Sequence, residues 1–529
     1  MMTGRRPTIS SMNGIVAAAH PHAAAAGAAI LARGGNAFDA VVATAAALNV
    51  VEPYMSSLAG MGLATCWIAA EKRVRTLNFV PAIPAGFPVA RYSRRAELMR
   101  GPESVGVPGN LSGWTTLQST YGRLGLAEAF APAIRLARDG YPVTEFNIEE
   151  TNATEPEIRA RADLWPAWAR TYTDGSGRLS KGYVLRQPDL ACTLEEIAVD
   201  GPDAFYDRLV AHLSATGGCV TRRDIDAFRP VWASPAVARY RNLEVCVPPP
   251  PCEGFQFLIA LAILDGFDLA GMERNGVEHL DTVWRAIRLS AGARIANNNP
   301  SPERLAELLA PASIERLRAR VRDGRPITGP TEQWMAAEPG PAAEHHTTSF
   351  SVADAEGNLV CVTQSIGSPY GSAVIVPGTG VTLNNFLYWT DVQPESPNRS
   401  RPGGALPICV SPSLSLRDGA PEIALGTPGS YGIKQTQTQT MVQLVDFGLD
   451  IQDAIEAPRA RLWDGRKVHV ESRFAPATLA ALLSRGHDIE VGEAWTMKVG
   501  GMHGIRIDPA TGAKVGGCDP RRDGYVVPA

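Results

Sequence analysis

The sequence has no apolar run long enough to cross a bilayer. Ala40 to Val51 is the longest such stretch near the start and includes Thr44 and Asn49, whereas a membrane helix needs about 20 apolar residues. An excess of either charge sign is also missing: 50 basic residues face 54 acidic ones, for a net charge of −4. That balance leaves no electrostatic footprint for nucleic acid or an anionic membrane, so neither is expected as a partner. The opening Met1-Met2-Thr3-Gly4-Arg5-Arg6 has a basic pair but no hydrophobic segment behind it. No signal peptide is read, and a cytoplasmic location is expected. The eight cysteines form no CxxC, and Cys246 and Cys252 lie on either side of a proline run. In a large chain without a secretion signal they are expected as free thiols. His20-Pro21-His22 and His345-His346 lack the i,i+4 spacing of a helical zinc site, so no metal and no cofactor is expected.

What is present is globular. Of 529 residues, 45% are hydrophobic and 20% charged, which excludes disorder as the main state. The length allows about three domains or one large layered unit. The 51 glycines and 41 prolines indicate many tight turns.

The first part of the chain reads as a strand at 14–18, a helix from about His22 to Arg33 stopped by Gly34-Gly35, and a helix Ala37 to Val51 capped by Asn36. The alanines allow these helices to pack closely. Leu63 to Ala69 is expected as a strand. From Gly109 to about Val321 the pattern is mainly helical, with amphipathic or buried helices around 130–139, 192–199 and 257–264. One strand is expected over Arg239 to Val247. Residues 329–344, rich in Pro, Gly and Glu, are expected as a mobile surface linker. The period then changes. Thr347 to Val352 alternates as a strand, Asp354 to Asn358 forms a turn, and Leu359 to Gln364 returns as a second strand. Further strands are expected at Ala373 to Val376 and Ile423 to Leu425, and helices at Lys434 to Phe447 and Ile451 to Ala457.

Two places could carry chemistry. Thr347 heads a strand directly after the linker. It could be an ordinary β-branched strand residue. If the chain were cut before it, it would instead hold a hydroxyl and a free α-amine, whose unperturbed pKa of about 7.7–8.0 suits a general base at neutral pH. The second place is Gly426-Thr427-Pro428-Gly429-Ser430, between a strand and a helix. This loop could be a plain turn, or it could present backbone N–H groups to a developing oxyanion. No GK[ST] follows, so it is no phosphate loop.

With these residues in place, the chain resembles the γ-glutamyltransferase family of N-terminal nucleophile hydrolases over almost its whole length. The likeness is carried by residues 34–40, Val107-Pro108-Gly109, Tyr121-Gly122, Leu136 to Gly140, residues 201–206, Pro248-Pro249-Pro250 and Thr347-Thr348. It continues in Asp354 to Asn358, Leu383-Asn384-Asn385, Ser411-Pro412, Ala457-Pro458-Arg459 and Asp519-Pro520-Arg521. The resemblance implies an α+β fold, a four-layer αββα sandwich, and a precursor that cuts itself. It implies attack of Thr347 Oγ on the His346 carbonyl, an N-to-O acyl shift and hydrolysis of the ester. The products would be a large chain 1–346 and a small chain 347–529, a heterodimer intertwined in one unit, with a dimer of such heterodimers left open. In the mature enzyme Thr347 would attack a small-molecule amide. Ser365 falls where the family has a threonine that contacts the nucleophile's amine, and Gly429 and Ser430 fall on the family's oxyanion pair.

The departures concern the substrate. At the positions with which the family holds a γ-glutamyl carboxylate and ammonium, this chain has Val80, Ile408, Cys409, Gly367, Phe386 and Trp389. None of these can replace a bidentate arginine–carboxylate pair or its counterparts. An unpaired zwitterion there would lose several kcal/mol. With Tyr431 they indicate a partly apolar acyl pocket, as in relatives such as oxamate amidohydrolase and the cephalosporin or glutaryl acylases. Arg399, Arg401 and Lys434 are nearby cations and read as surface charge. Three readings result: a self-processed amidase or acylase with a non-glutamyl substrate, a true γ-glutamyltransferase or glutathione hydrolase, or a relative that never matures and serves only in binding. The first two require Thr347 and the 429–430 loop to share one cleft.

Overall fold

The computed structural model describes residues 6–332, 347–396 and 398–529. His345, His346 and most of the expected linker lie outside them.

Two seven-stranded antiparallel sheets form the centre. One runs Ile9–Ser11, Lys514–Cys518, His503–Ile507, Ala420–Gly426, Ser413–Arg417, Leu243–Val247, Ala236–Tyr240. The other runs Tyr525–Pro528, Ile15–Ala18, Thr348–Ala353, Leu359–Ser365, Met61–Ile68, Arg73–Phe79, Val231–Ala233. Period-2 alternation gives each strand two apolar faces. In the second sheet Ile15, Ala17, Leu359 and Cys361 point inward and pack with Cys246, Leu414, Leu416 and Ala424 of the first. Val16, Ala18, Val360 and Val362 point outward, into a layer of helices that includes Pro21–Ala32 and Ala37–Val51. The outer face of the first sheet, with Leu243, Val245, Ile423 and Leu425, is covered by helices Phe255–Leu264, Val277–Ala296, Ile433–Val445 and Ile451–Glu456. The molecule is therefore the αββα sandwich that the resemblance implies.

Local chemistry explains the elements that position the site. Every residue of the helix Ala37–Val51 is buried. Asn36 and Asp39 form a capping box at its start, satisfying otherwise orphaned N–H groups. The preceding helix comes so close that a Cβ on Gly27 would lie 2.2 Å from Thr44 Oγ1. Asp354 in the hairpin turn accepts from Ala37 N at 2.9 Å, from Asn358 N at 2.9 Å and from Asn358 Nδ2 at 2.8 Å. One carboxylate thus closes the hairpin and ties it to the buried helix.

Three expectations are corrected. The single strand over 239–247 is a hairpin of Ala236–Tyr240 and Leu243–Val247, turned at Arg241, which adopts φ +55°. Its backbone N donates to Asp265 at 2.7 Å, and its guanidinium pairs with Asp446 at 2.7 Å. Ala373 to Val376 is not a strand and keeps one bridge, Ile375 to Thr382. Tyr370, Gly371 and Ala373 all take left-handed φ values, which stop an extended run. The start of the expected mobile linker is fastened. Thr331 is buried, its N donates to Asp464 at 2.7 Å, and Gly465 N donates to Gly329 O at 2.9 Å.

Candidate active site

Thr347 lies just ahead of the strand Thr348–Ala353, and the ladder pairs Thr348 with Gln364. Continuing that register sets Thr347 opposite Ser365, and Thr347 Oγ1 donates to Ser365 Oγ at 3.4 Å. Ser365 Oγ in turn accepts from Gly367 N at 3.0 Å. Thr347 is buried and has φ +138°, outside the usual range for a β-branched residue. Backbone strain of this kind costs of order 1–3 kcal/mol and is held in place by its surroundings. Here it lies at the N–Cα bond next to the expected scissile peptide.

The holding groups are buried beneath the strand. Arg522 Nη1 donates to Thr347 O at 3.2 Å, and Thr348 Oγ1 donates to Glu52 Oε2 at 2.6 Å. Burial pushes the Glu52 carboxyl up to about 7, against the pull of Arg522 and the Thr348 hydrogen bond. Burial likewise raises Glu150 to about 7.

The loop after the strand Ala420–Gly426 meets Thr347 across a cavity. Thr347, Ser365, Gly367, Phe386, Trp389, Ile408, Cys409, Ser430 and Tyr431 all line it, together with Pro407 and Val410. Gly429 has φ +133° and Ser430 φ +53°, so the serine accepts the left-handed conformation that its place in the pair requires. One cleft therefore holds the nucleophile candidate and the oxyanion-loop candidate.

Val80 is placed differently. It belongs to the buried apolar cluster with Phe386 and Ile408 and does not itself line the cavity. Gly367 has φ +102°, and a Cβ there would lie 2.1 Å from Asn385 Oδ1. A side chain at that position would be strained and would have to displace Asn385. Trp389 and Tyr431 form one wall, with ring centroids 5.9 Å apart.

Lys434 is a correction, because it is buried and not a surface charge. Its Nζ lies 3.2 Å from Glu253 Oε2 and donates to Cys409 O at 3.2 Å. Arg294 Nη1 holds the other oxygen of Glu253 at 2.8 Å. Burial acts to raise the Glu253 carboxyl, but Arg294 and Lys434 outweigh it and keep it below its ordinary range. Burial lowers the Lys434 ammonium against the attraction of Glu253. Both cations lie near the Tyr431 ring, Arg294 at 4.9 Å and Lys434 at 5.3 Å. Arg401, by contrast, is exposed.

Sequence reasoning missed Pro407 and Val410 on the cavity wall and the buried groups Glu52, Arg461 and Arg522 around it. Arg461 Nη1 donates to Gly429 O at 2.9 Å. A weak signal existed for two of them: Arg461 follows the matched Ala457-Pro458-Arg459, and Arg522 follows Asp519-Pro520-Arg521.

The chain is similar to known proteins along almost its whole length. The chain is 32% identical to the Acylase ACY 1 proenzyme of Pseudomonas sp. (strain SE83), over 99% of this chain and 95% of that protein. It is also 32% identical to the Glutathione hydrolase-like YwrD proenzyme of Bacillus subtilis (strain 168), over 97% and 98% of the two chains. The crystal structure of cephalosporin acylase from Bacillus halodurans superposes with a TM-score of 0.89 at 30% identity, covering 100% of this chain and 98% of that one. The Gamma-glutamyltranspeptidase family model matches residues 23–529, and with the threonine-headed strand facing the 429–430 loop inside an αββα sandwich, the chain belongs to that family.

Proposed function

We propose that this protein is a self-processing amidohydrolase that cleaves a small amide through a Thr347 acyl-enzyme and takes an acyl group other than γ-glutamyl. The observation that carries the reading is the cavity itself. A buried threonine hydroxyl faces walls made of Phe386, Trp389, Ile408, Val410 and Tyr431, and among the described residues no charged side chain lines it. A γ-glutamyl head would bring a carboxylate and an ammonium into it unpaired, which is costly.

In the proposed sequence, Thr347 Oγ attacks the His346 carbonyl of the precursor, the peptide becomes an ester, and water releases chain 1–346 from chain 347–529. The freed α-amine of Thr347 then takes the hydroxyl proton as Oγ attacks the substrate carbonyl. The tetrahedral oxyanion is met by backbone N–H donors of Gly429 and Ser430, an arrangement commonly worth about 10²–10³ in rate per donor. Return of the proton to the departing amine leaves an acyl-enzyme, which water hydrolyses. Ser365 Oγ, within hydrogen-bond reach of Thr347 Oγ1, orients the hydroxyl.

The similarity to a glutathione hydrolase-like proenzyme favours a second reading, hydrolysis of γ-glutamyl amides. A screen of simple aliphatic and aromatic acyl amides beside a γ-glutamyl anilide, with Thr347→Ala as the control, separates the two. The first reading expects turnover of apolar acyl amides at rates well above the anilide and none in Thr347→Ala. Efficient release from the γ-glutamyl anilide instead would overturn it. On a denaturing gel the wild type is expected as two bands and Thr347→Ala as one.

A further inference from the structure

We propose that Arg461 is a positioning residue for the oxyanion loop, itself held by Glu332 from the stretch just upstream of the processing site. The proposal rests on the reading of Thr347 as nucleophile and Ser430 N–H as oxyanion donor. The Arg461 side chain is almost wholly buried and bridges two partners. Nη1 donates to Gly429 O at 2.9 Å, and Nη2 pairs with Glu332 Oε1 at 2.8 Å. Gly429 O also accepts from Gly432 N at 2.9 Å, so this carbonyl is fixed twice.

A trans peptide is planar, and the C=O of one residue points opposite to the N–H of the next. Turning the Gly429 carbonyl toward Arg461 therefore sets the direction of Ser430 N–H, on the residue that lines the cavity with Thr347. Ser430 sits at φ +53°, which a side-chain-bearing residue adopts unwillingly, so the loop needs an external hold. Gly432 makes room for that hold: a Cβ there would lie 1.4 Å from Arg461 Nη1.

The upstream strand of chain is anchored to the same place. Arg294 Nη2 donates to Thr331 O at 3.0 Å and also to Glu332 O, while its guanidinium lies over the Tyr431 ring. Residues on either side of Ser430 are thus tied to residues 331–332.

The test is steady-state kinetics on the mature enzyme together with acylation by a β-lactone, followed by intact mass. The lactone reports attack by Thr347 whatever the natural amide is. Arg461→Met is expected to lower kcat and the labelling rate by about 10- to 100-fold, less than outright loss of a donor can cost, with KM within about threefold. Arg461→Lys is expected not to rescue, because an ammonium cannot span both partners as the planar fork does. Gly432→Ala is expected to reproduce the loss. Glu332→Gln is expected to lose a few-fold, and adding it to Arg461→Met to cost nothing more, since both act through one contact. Should Arg461→Met not fold, Glu332→Gln and Arg461→Lys carry the same test. Unchanged labelling, full rescue by lysine or additive losses overturn the proposal. If the wild type is labelled at Thr347 but turns over no amide in the screen, the substrate reading fails while the positioning role is still decided by the labelling rates. No labelling at Thr347 in the wild type overturns both.

Discussion

Single residues decide what the cavity can hold. Thr347 meets Ser365 only because the hairpin register sets one strand end beside the other. Gly367, on the cavity wall beside Ser365, shows how a backbone position can limit the chemistry. At φ +102°, with Asn385 Oδ1 2.1 Å from where a Cβ would stand, a side chain at this position is strained and must displace Asn385. We predict that Gly367→Ala lowers stability by about 1–3 kcal/mol, through strain plus overlap, measurable by urea denaturation. Restoring the family's asparagine by Gly367→Asn should therefore not create γ-glutamyl hydrolysis. A Gly367→Asn protein as stable as wild type would refute this. For Ser365→Ala the expected outcome is slower turnover, read as a fall in kcat, together with a lower melting temperature because Gly367 N loses its acceptor.

Elements owe their placement to caps and turns that recur in the sequence. Asn36 Oδ1 accepts from Phe38 N at 3.0 Å and Asp39 N at 3.2 Å, and Asp39 accepts in return from Asn36 N at 3.0 Å. Asn36→Ala should cost about 1 kcal/mol, the usual value of an N-cap. The loss is expected in thermal unfolding and not in kcat. The same Asp39 carboxylate also accepts from Arg123 N and Leu124 N, so Asp39→Ala is expected to cost more than the Asn36 change. The matched Gly34–Ala40 stretch thus serves the fold and not the reaction.

At the scale of the whole molecule, two distant motifs join. Arg459 and Arg521 share Asp519, and Arg521 also pairs with Glu471 at 2.6 Å, all in the interior. Removing one partner from such a network leaves a buried charge uncompensated, so Asp519→Asn should cost about 3–5 kcal/mol. Chemical denaturation of the purified variant checks this. Next to the network, Arg522 reaches the Thr347 carbonyl and faces Glu52 and Glu150. Burial raises both carboxyls to about 7 in the folded protein, against an ordinary value of 4.5. Below about 4.5 they are protonated in both folded and unfolded chains, and their stability contribution is complete. As pH rises toward about 7, unfolding releases protons and that contribution is lost. The melting temperature is therefore expected to fall across this window, and less so in Glu52→Gln. An equal fall in Glu52→Gln would show that Glu52 is not the group that titrates.

Local chemistry in the sequence was enough for the capped alanine-rich helices, the Asp354–Asn358 hairpin and the strand–loop–helix at 426–433, because caps, turns and periodicity act between near neighbours. It was enough, too, for a threonine heading a strand. It could not separate the hairpin at Arg241 from one continuous strand, since a polar pair inside a β-rich run fits either until Asp265 and Asp446 hold the turn. Burial of Lys434 was equally hidden, because Glu253 and Arg294, which make it tolerable, come from remote parts of the chain. Only the packed tertiary structure brings Thr347, Ser365 and the 429–430 loop around one cavity and sets Arg461 behind that loop. Those contacts join residues far apart in sequence, and their geometry comes from the stacking of two sheets and two helical layers.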